Sequence, residues 1–380
     1  MIGFTLTEEQ LAAQKAAREF ADKHMKPYAA ELDRMPATHF DWKIVDRFAS
    51  AGYTSFFLPR EYGGGGVDFL TMAIICEEMA VACAGISSVL GATMLAANCL
   101  RAGGTEAQKK KYLSFLADKK GKLGAMAITE PAAGSDLAGV QTIARRQGDS
   151  YVISGLKTFI SNAGIADLYM VLATTDPAKK YAALDFFIVP AGTPGLSAGK
   201  IEDKLGLRAD RTGEVILDNV RVPAKNLVGK PGTGFLVAMQ ALDLSRPMMS
   251  VDAIGIARAA YETALDFTRK RVQFGKPLFK NQAVAFALAD MATAIDAARL
   301  LTWRACWLLD NGFEFTKEAS MAKVFASETA VEVCSKALHL MGAAGYTRDF
   351  PVEKYLRDAK AMTILEGTSE IQRRIIAQEL

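Results

Sequence analysis

Little in this 380-residue chain points to metal or disulfide chemistry. Its five cysteines, Cys76, Cys83, Cys99, Cys306 and Cys334, form no CxxC pair, and an odd number leaves one over. Each sits in an apolar, helix-spaced context and reads as a buried thiol, not as part of a redox pair or a disulfide framework. Histidine is scarcer still. His24, His39 and His339 make no HExxH and join no Cys/His cluster, so no metal site is expected. An excess of one charge is missing too: 45 basic against 42 acidic residues leave +3. That balance lacks the basic stripe of a nucleic-acid binder and suits an anionic membrane surface poorly. The lysine run in "QKKKYL" (108–113) reads as a solvated helix face. The first residues, "MIGFTLTEEQ", carry early acids in place of a basic segment followed by an apolar core. No signal or transit peptide is expected, and the setting is taken as cytoplasmic.

Long hydrophobic runs are also nearly absent. Met79 to Leu100 carries no charge, but it is rich in Gly, Ala, Ser, Thr and Cys, and no second such run follows. A buried helical layer near a ligand is expected there, not a membrane span.

What is present is a hydrophobic content of 50%, enough for two or three domains around a large core. Residues 1–120 read as helices, with Thr7 as a first N-cap and helices at 41–51, 68–82, 86–102 and 105–117. Between 121 and 230 the period changes to that of strands and turns, and Val215, Leu217, Val220 and Val222 alternate as on a half-buried strand. From 231 to 380 the helical period returns: one long helix with Pro247 inside it, then helices near 282–311 and 317–341. A short terminal helix follows, for which Ser369 and Gln372 are spaced as a capping box. The order is helices, a β-unit, then a helical bundle.

Glycine-rich stretches carry less than their composition suggests. "YGGGGVDF" follows no strand and precedes no GK[ST], and in "GKPGTGF" the lysine comes before the glycines. Neither is a phosphate-binding loop. "AITEPAAGSDLAG" (127–139) is richer, gathering Thr129, Glu130, Ser135 and Asp136 about Pro131 and Gly134 after a strand-like segment. Such a turn serves equally as a helix cap or as the polar edge of a ligand site. "KTFISNAG" (157–164) places an aromatic and polar side chains beside another strand. Near the end, "MTILEGTSEIQRR" (362–374) sets Glu366 after apolar residues, where an unpaired carboxylate is costly and has its pKa raised.

These stretches together resemble the acyl-CoA dehydrogenase family over essentially the whole chain. "AITEPAAGSDLAG" is similar to the family's first signature, "LHLMGAAGYTRDFPVEKYLRDAK" (338–360) to its second, "RKRVQFGKPL" (269–278) to its flavin-contact turn and "ILEGTSEIQ" to its catalytic segment. The resemblance implies a mostly α fold with a central β-domain: a helical domain (1–120), a β-barrel-like domain (121–230) and a four-helix bundle (231–380). It also implies FAD, an acyl-CoA substrate, electron-transferring flavoprotein as electron acceptor, and a homotetramer built as a dimer of dimers.

By the same resemblance Glu366 removes the α-proton of the thioester while a β-hydride passes to flavin N5. Hydrogen bonds from the Glu366 N–H and a ribityl hydroxyl stabilise the developing enolate. Some relatives carry the base on the long helix, where this chain has Ser245, which cannot do that work alone. Cofactor contacts fall on Met126, Ile128, Thr129, Ser135, Phe159, Ser161, His339, Gly342, Thr368 and Glu370. Arg271, Phe274 and Gln282 reach the cofactor of a neighbouring subunit. Substrate contacts fall on Ser135, Asp243, Ser245, Arg246 and Gly367. On local grounds alone Arg246, beside Pro247, reads as a solvated helix residue.

The chain departs from the family pattern at His339 (Gln, Asp or Glu in the signature), at Ala343 (Gly or Ser) and at Leu365, where Tyr is frequent. Leu365 leaves room for a branched or cyclic acyl group, and the expected substrate is a short, branched or alicyclic acyl-CoA in a pocket drawn from 86–102, 242–249 and 362–366. An acyl-CoA oxidase or an enoyl-CoA reductase shares these features, and a non-catalytic binding protein of the same fold is the reading from another class.

Overall fold

The first helix starts where its capping chemistry dictates. In the computed structural model, which describes residues 5–380, the Thr7 side chain accepts the Gln10 N–H while the Gln10 side chain accepts the Thr7 N–H. The N-terminal helices are α1 (Glu8–His24), α2 (Ala29–Arg34), α3 (Trp42–Ser50), α4 (Phe69–Gly103) and α5 (Glu106–Leu116). Sequence spacing gives two helices at 68–82 and 86–102; the structure has α4 instead, bent at Cys83, whose backbone leaves helical space at φ −168° and ψ 105°. From Met79 to Leu100 every residue is buried except Ser88, Gly91 and Leu95, which are partly accessible. Their spacing of three and four places them on one helical face. The uncharged run is therefore a core helix with one open stripe.

Strands β1 (Gly124–Ala127), β2 (Ile143–Gln147), β3 (Ser150–Ser161), β4 (Leu168–Thr174), β5 (Leu184–Pro190), β6 (Leu196–Ile201), β7 (Thr212–Pro223) and β8 (Leu227–Val228) make one sheet. Its order is β6-β7-β3-β2-β4-β5-β8, with β1 parallel to β4 from Gly124 opposite Leu168. On β7 the buried hydrophobic residues are Val215, Leu217, Val220 and Val222, and the odd three-residue step between Leu217 and Val220 needs an extra residue. A bulge supplies it: pairing slips between Ile153/Val220 and Gly155/Leu217, and Asn219 turns left-handed at φ 53°.

The C-terminal helices are α6 (Gly234–Lys270), α7 (Gln282–Asp310), α8 (Thr316–Met341), α9 (Val352–Met362) and α10 (Ser369–Gln378), with a hairpin of β9 (Val272–Gln273) and β10 (Lys276–Pro277) between α6 and α7. Pro247 lies within α6, which continues past it. The three parts are tied together at α9. The Arg357 guanidinium donates to Asp33 (2.6 Å) and to the Leu205 carbonyl (2.9 Å), and Asp358 accepts the Leu207 N–H at 2.6 Å. Asp33, Leu205 and α9 belong to the helical start, the sheet region and the helical end of the chain, so this joint fixes the elements that carry the site.

Candidate active site

Glu366 sits in the turn after α9 with φ 53°, a left-handed conformation that a non-glycine residue rarely adopts. Backbone strain of this kind persists only where its surroundings hold it, and here they do. Lys323 on α8 donates to the Gly367 carbonyl at 2.7 Å, while Gln372 Nε2 donates to the carbonyls of Glu366 (3.2 Å) and Gly367 (3.1 Å). Gly367 itself has φ 98°, and a Cβ there would stand 2.7 Å from Gln372 Nε2.

The capping box assigned to Ser369 and Gln372 is not formed. Thr368 caps α10, accepting the Ile371 N–H at 3.4 Å. The reason is that Gln372 is drawn back to the Glu366 turn, and the buried Ser369 hydroxyl has no partner.

Glu366 is half-buried as a residue, but its Oε2 is sealed from solvent and has no hydrogen-bond partner. Burial pushes its carboxyl above the usual range. The Ser245 hydroxyl and the charges of Lys323 and Arg246 pull in the other direction without cancelling it. Arg246 is only 2% exposed, so the local expectation of a solvated helix residue fails. Its guanidinium pairs with Asp243, and Asp243 also accepts the Thr316 hydroxyl at 3.0 Å. Arg246 Nε has no partner. The structure thus brings Asp243, Ser245 and Arg246 of α6 together with Glu366 and Gly367 of the turn before α10.

Lys323 was not singled out by motif. It is 1% exposed, and the signal that marks it is a lone lysine inside the apolar stretch "ASMAKVFAS". Lys323→Met removes the cation that favours the Glu366 carboxylate and one clamp on the turn. The acid limb of the kcat/KM–pH profile then moves to higher pH, and kcat falls roughly tenfold, the equivalent of one charge-assisted hydrogen bond. A profile that superimposes on wild type would show that Lys323 does not act on Glu366.

On the sheet side, Thr129 follows β1 and Phe159 and Ser161 end β3. The Thr158 N–H donates to the Thr129 carbonyl at 2.9 Å, which places these two stretches next to each other. Phe159 is left-handed at φ 57° and 64% exposed, an aromatic ring held out from the sheet. Met126 is half-buried and Ile128 buried, while Ser135 is exposed. Asp136 caps the short turn at Leu137–Gly139 and accepts the Tyr181 hydroxyl at 2.8 Å. Ser161 donates to Asp210 at 2.9 Å.

A pair that the motifs did not assign holds this side together. Lys157, 0% exposed, donates to Glu130 (2.6 Å) and to the Ile128 carbonyl (2.9 Å). Glu130 also accepts the N–H groups of Gln141 (2.6 Å) and Thr142 (3.0 Å).

Arg271, Phe274, Gln282, His339 and Gly342 make no hydrogen bond to the Glu366 cluster among the described residues, while Thr368 and Glu370 follow the Glu366 turn in the chain. Arg271 caps α6, and Phe274 is at the tip of the β9–β10 hairpin, 97% exposed with φ 53°. Gln282 opens α7, His339 is in the last turn of α8 and Gly342 follows it, all exposed. Thr368 is partly buried and Glu370 exposed on the first turn of α10.

The FAD implied by the resemblance presents a flat ring with a polar edge. Phe159 and Met126 offer apolar surface to the ring, while Thr129 and Ser161 offer hydroxyls to its edge, so the side chains present fit that group.

Helices before and after a sheet, with a buried carboxylate held in a left-handed turn, form an architecture that the comparisons identify. Three consecutive family models match: acyl-CoA dehydrogenase N-terminal domain (7–120), middle domain (125–220) and C-terminal domain (232–380). The chain belongs to the acyl-CoA dehydrogenase family. It is 42% identical over 378 residues to the short-chain specific acyl-CoA dehydrogenase of Clostridium acetobutylicum, covering 99% of each chain. The solved butyryl-CoA dehydrogenase of Megasphaera elsdenii superposes with a TM-score of 0.96 at 40% identity, covering 100% of this chain and 99% of that one. A structure from work on the electron transferring flavoprotein of Acidaminococcus fermentans gives the same TM-score, 0.96, at 40% identity, covering 100% and 99% of the two chains.

Proposed function

We propose that this chain is an FAD-dependent acyl-CoA dehydrogenase that converts a short acyl-CoA to its 2-enoyl-CoA, with Glu366 as the base. The observation that carries the reading is the Glu366 Oε2, sealed from water and without a partner. A raised pKa in such a site makes the carboxylate a stronger base toward a weakly acidic α-carbon proton. The left-handed turn leaves the Glu366 N–H unpaired among the described residues, free to donate to the thioester oxygen as negative charge develops. Ser245 and Gly367 flank the reacting carbons, and Ser135, Asp243 and Arg246 meet the CoA chain.

Bound FAD would supply the hydride acceptor at the β-carbon. It would be held by Met126, Ile128, Thr129, Ser135, Phe159, Ser161, His339, Gly342, Thr368 and Glu370, with Arg271, Phe274 and Gln282 from a neighbouring copy. An almost fully exposed phenylalanine at a hairpin tip favours such a copy, in a homotetramer of two dimers. Electron-transferring flavoprotein takes the electrons, and the setting is cytoplasmic. Short acyl groups are favoured by the identity to short-chain relatives. Space for a branch or ring comes from Leu365 and from Gly91, where an added Cβ would meet only Met249 Cε, at 3.8 Å.

The test is anaerobic addition of acyl-CoAs to the flavin-loaded protein: linear C4 to C16, isobutyryl, isovaleryl, glutaryl and cyclohexanecarbonyl. Bleaching of the flavin band by the short members is expected. A flavin-loaded protein that no member bleaches would overturn the dehydrogenase reading.

A further inference from the structure

Gln372 is 0% exposed, yet its amide is only half satisfied. Nε2 donates to two carbonyls of the turn, Glu366 at 3.2 Å and Gly367 at 3.1 Å, while Oε1 is sealed from solvent without a partner. Turning the amide over would not relieve it. Oε1 would then face two carbonyl oxygens, which only N–H groups can satisfy. The turn therefore holds the side chain in one orientation and leaves a buried acceptor unpaired. Such a group in a folded chain needs a reason, and the reason lies in what its two hydrogen bonds hold.

They hold the torsion that aims the reacting groups. Upstream the chain is fixed by the end of α9, where the N–H groups of Ile364 and Leu365 both donate to the Ala361 carbonyl (2.9 and 3.1 Å). Downstream, Gln372 and Lys323 fix the turn's carbonyls, and the Ser369 N–H donates back to the Thr363 carbonyl at 3.1 Å. Between these anchors lies the φ of Glu366, 53°. A residue with a Cβ is more stable at negative φ. Relaxing to it would turn the Glu366 N–H and carboxyl group relative to the clamped carbonyls. Lys323 reaches only the Gly367 carbonyl, so among the described residues Gln372 alone bonds the carbonyl of Glu366 itself. A Cβ on residue 367 would stand 2.7 Å from Nε2, so the glycine there is what lets the amide approach.

We infer that Gln372 is a positioning residue of the reaction: its amide fixes the left-handed turn, so that the Glu366 N–H is aimed at the thioester oxygen and the carboxylate at the α-proton. This rests on the acyl-CoA reading above and adds to it a residue that acts through the turn and not on the substrate. Negative charge grows on the thioester oxygen only as the α-proton leaves. A misplaced N–H therefore weakens the transition state more than it weakens binding.

The experiment compares wild type with Gln372→Met and Gln372→Glu, all flavin-loaded. Met keeps the length of the side chain and removes both donors. Glu keeps the shape and turns acceptors toward the carbonyls, so it separates the donors from the packing. Stopped-flow flavin reduction by butyryl-CoA gives the limiting rate and the Kd. Difference infrared spectra of bound crotonyl-CoA, isotope-labelled at the thioester carbon, give the carbonyl stretch, which falls in frequency as that oxygen accepts hydrogen bonds. In both variants the limiting rate is expected to fall about tenfold to a hundredfold, short of the loss of a whole oxyanion donor because Lys323 still holds Gly367. The Kd is expected to change by less than about threefold, as for an interaction realised in the transition state. The carbonyl stretch is expected to move up toward that of the free ligand.

A rate and a carbonyl band unchanged in both variants would overturn the inference. A slower rate with an unmoved band would overturn it too, because loosened packing alone gives that result. Gln372→Met buries no charge and carries both readouts where Gln372→Glu fails to fold. If wild type is bleached by butyryl-CoA and the variants match it, only this inference falls; if wild type is not bleached, the dehydrogenase reading falls and this one with it.

Discussion

Glu366→Gln is expected to lower kcat for flavin reduction by about 10²- to 10⁴-fold, the usual contribution of a positioned general base. The folded protein and its flavin spectrum should survive, because Gln has the same shape and the Oε2 it replaces has no partner to lose. The carboxylate acts only when ionised, and its pKa lies above the ordinary value. Wild-type kcat/KM therefore falls as pH drops through that raised pKa, and the limb should vanish from the residual activity of the variant. Stopped-flow absorbance across pH with butyryl-CoA measures both. Wild-type rates in the variant would move the base elsewhere. The other buried carboxyl coupled to this site, Asp252, is pushed up to about 8 by burial and accepts the Ser87 hydroxyl at 3.2 Å, which leaves it protonated at neutral pH.

Lys157→Met should cost about 3–5 kcal/mol of stability, the range for removing one partner of a buried ion pair. Glu130 would stay ionised in the sheet with only the Gln141 and Thr142 amides to meet it. The loss should reach function, because Lys157 and Glu130 join the end of β3, with Phe159 and Ser161, to the turn that bears Thr129 and Ser135. Weaker flavin retention should accompany the lower denaturation midpoint.

In wild type the Lys157 charge and the hydrogen bonds hold the Glu130 carboxyl below its usual range. Its stabilisation is thus present above the ordinary carboxylate pKa and is lost as pH falls through the lowered value. In Lys157→Met that acid-dependent part shrinks. The double variant Lys157→Met/Glu130→Met should regain much of the stability, since a buried pair replaced by apolar residues is often neutral. Denaturation of wild type, Lys157→Met, Glu130→Met and the double variant at two pH values gives the coupling directly. An unchanged midpoint for Lys157→Met would mean that the pair does not hold the sheet to the signature turn.

The sequence by itself determined the order of parts and singled out Glu366. Periodicity changes at about 120 and 230 separate helices from strands because side chains repeat every 3.6 residues in one and every two in the other. Glu366 stood out because a carboxylate after "MTIL" has no local partner. Capping was legible where it is local, as at Thr7, and misread at α10, where a residue six positions from Glu366, Gln372, is claimed by the turn instead of by the helix start. The break in α4 fell where spacing put it, but whether the backbone there makes a loop or a single bent residue depends on what packs against Cys83.

Only the tertiary structure decided the partners. Lys323 meets the Gly367 carbonyl across 44 residues, Lys157 meets Glu130 across 27, and Arg357 meets Asp33 across 324. No window of sequence contains such pairs. Each of these cations lies between apolar or unremarkable neighbours, and its role follows from the fold, which takes it largely out of water and brings distant acceptors within reach.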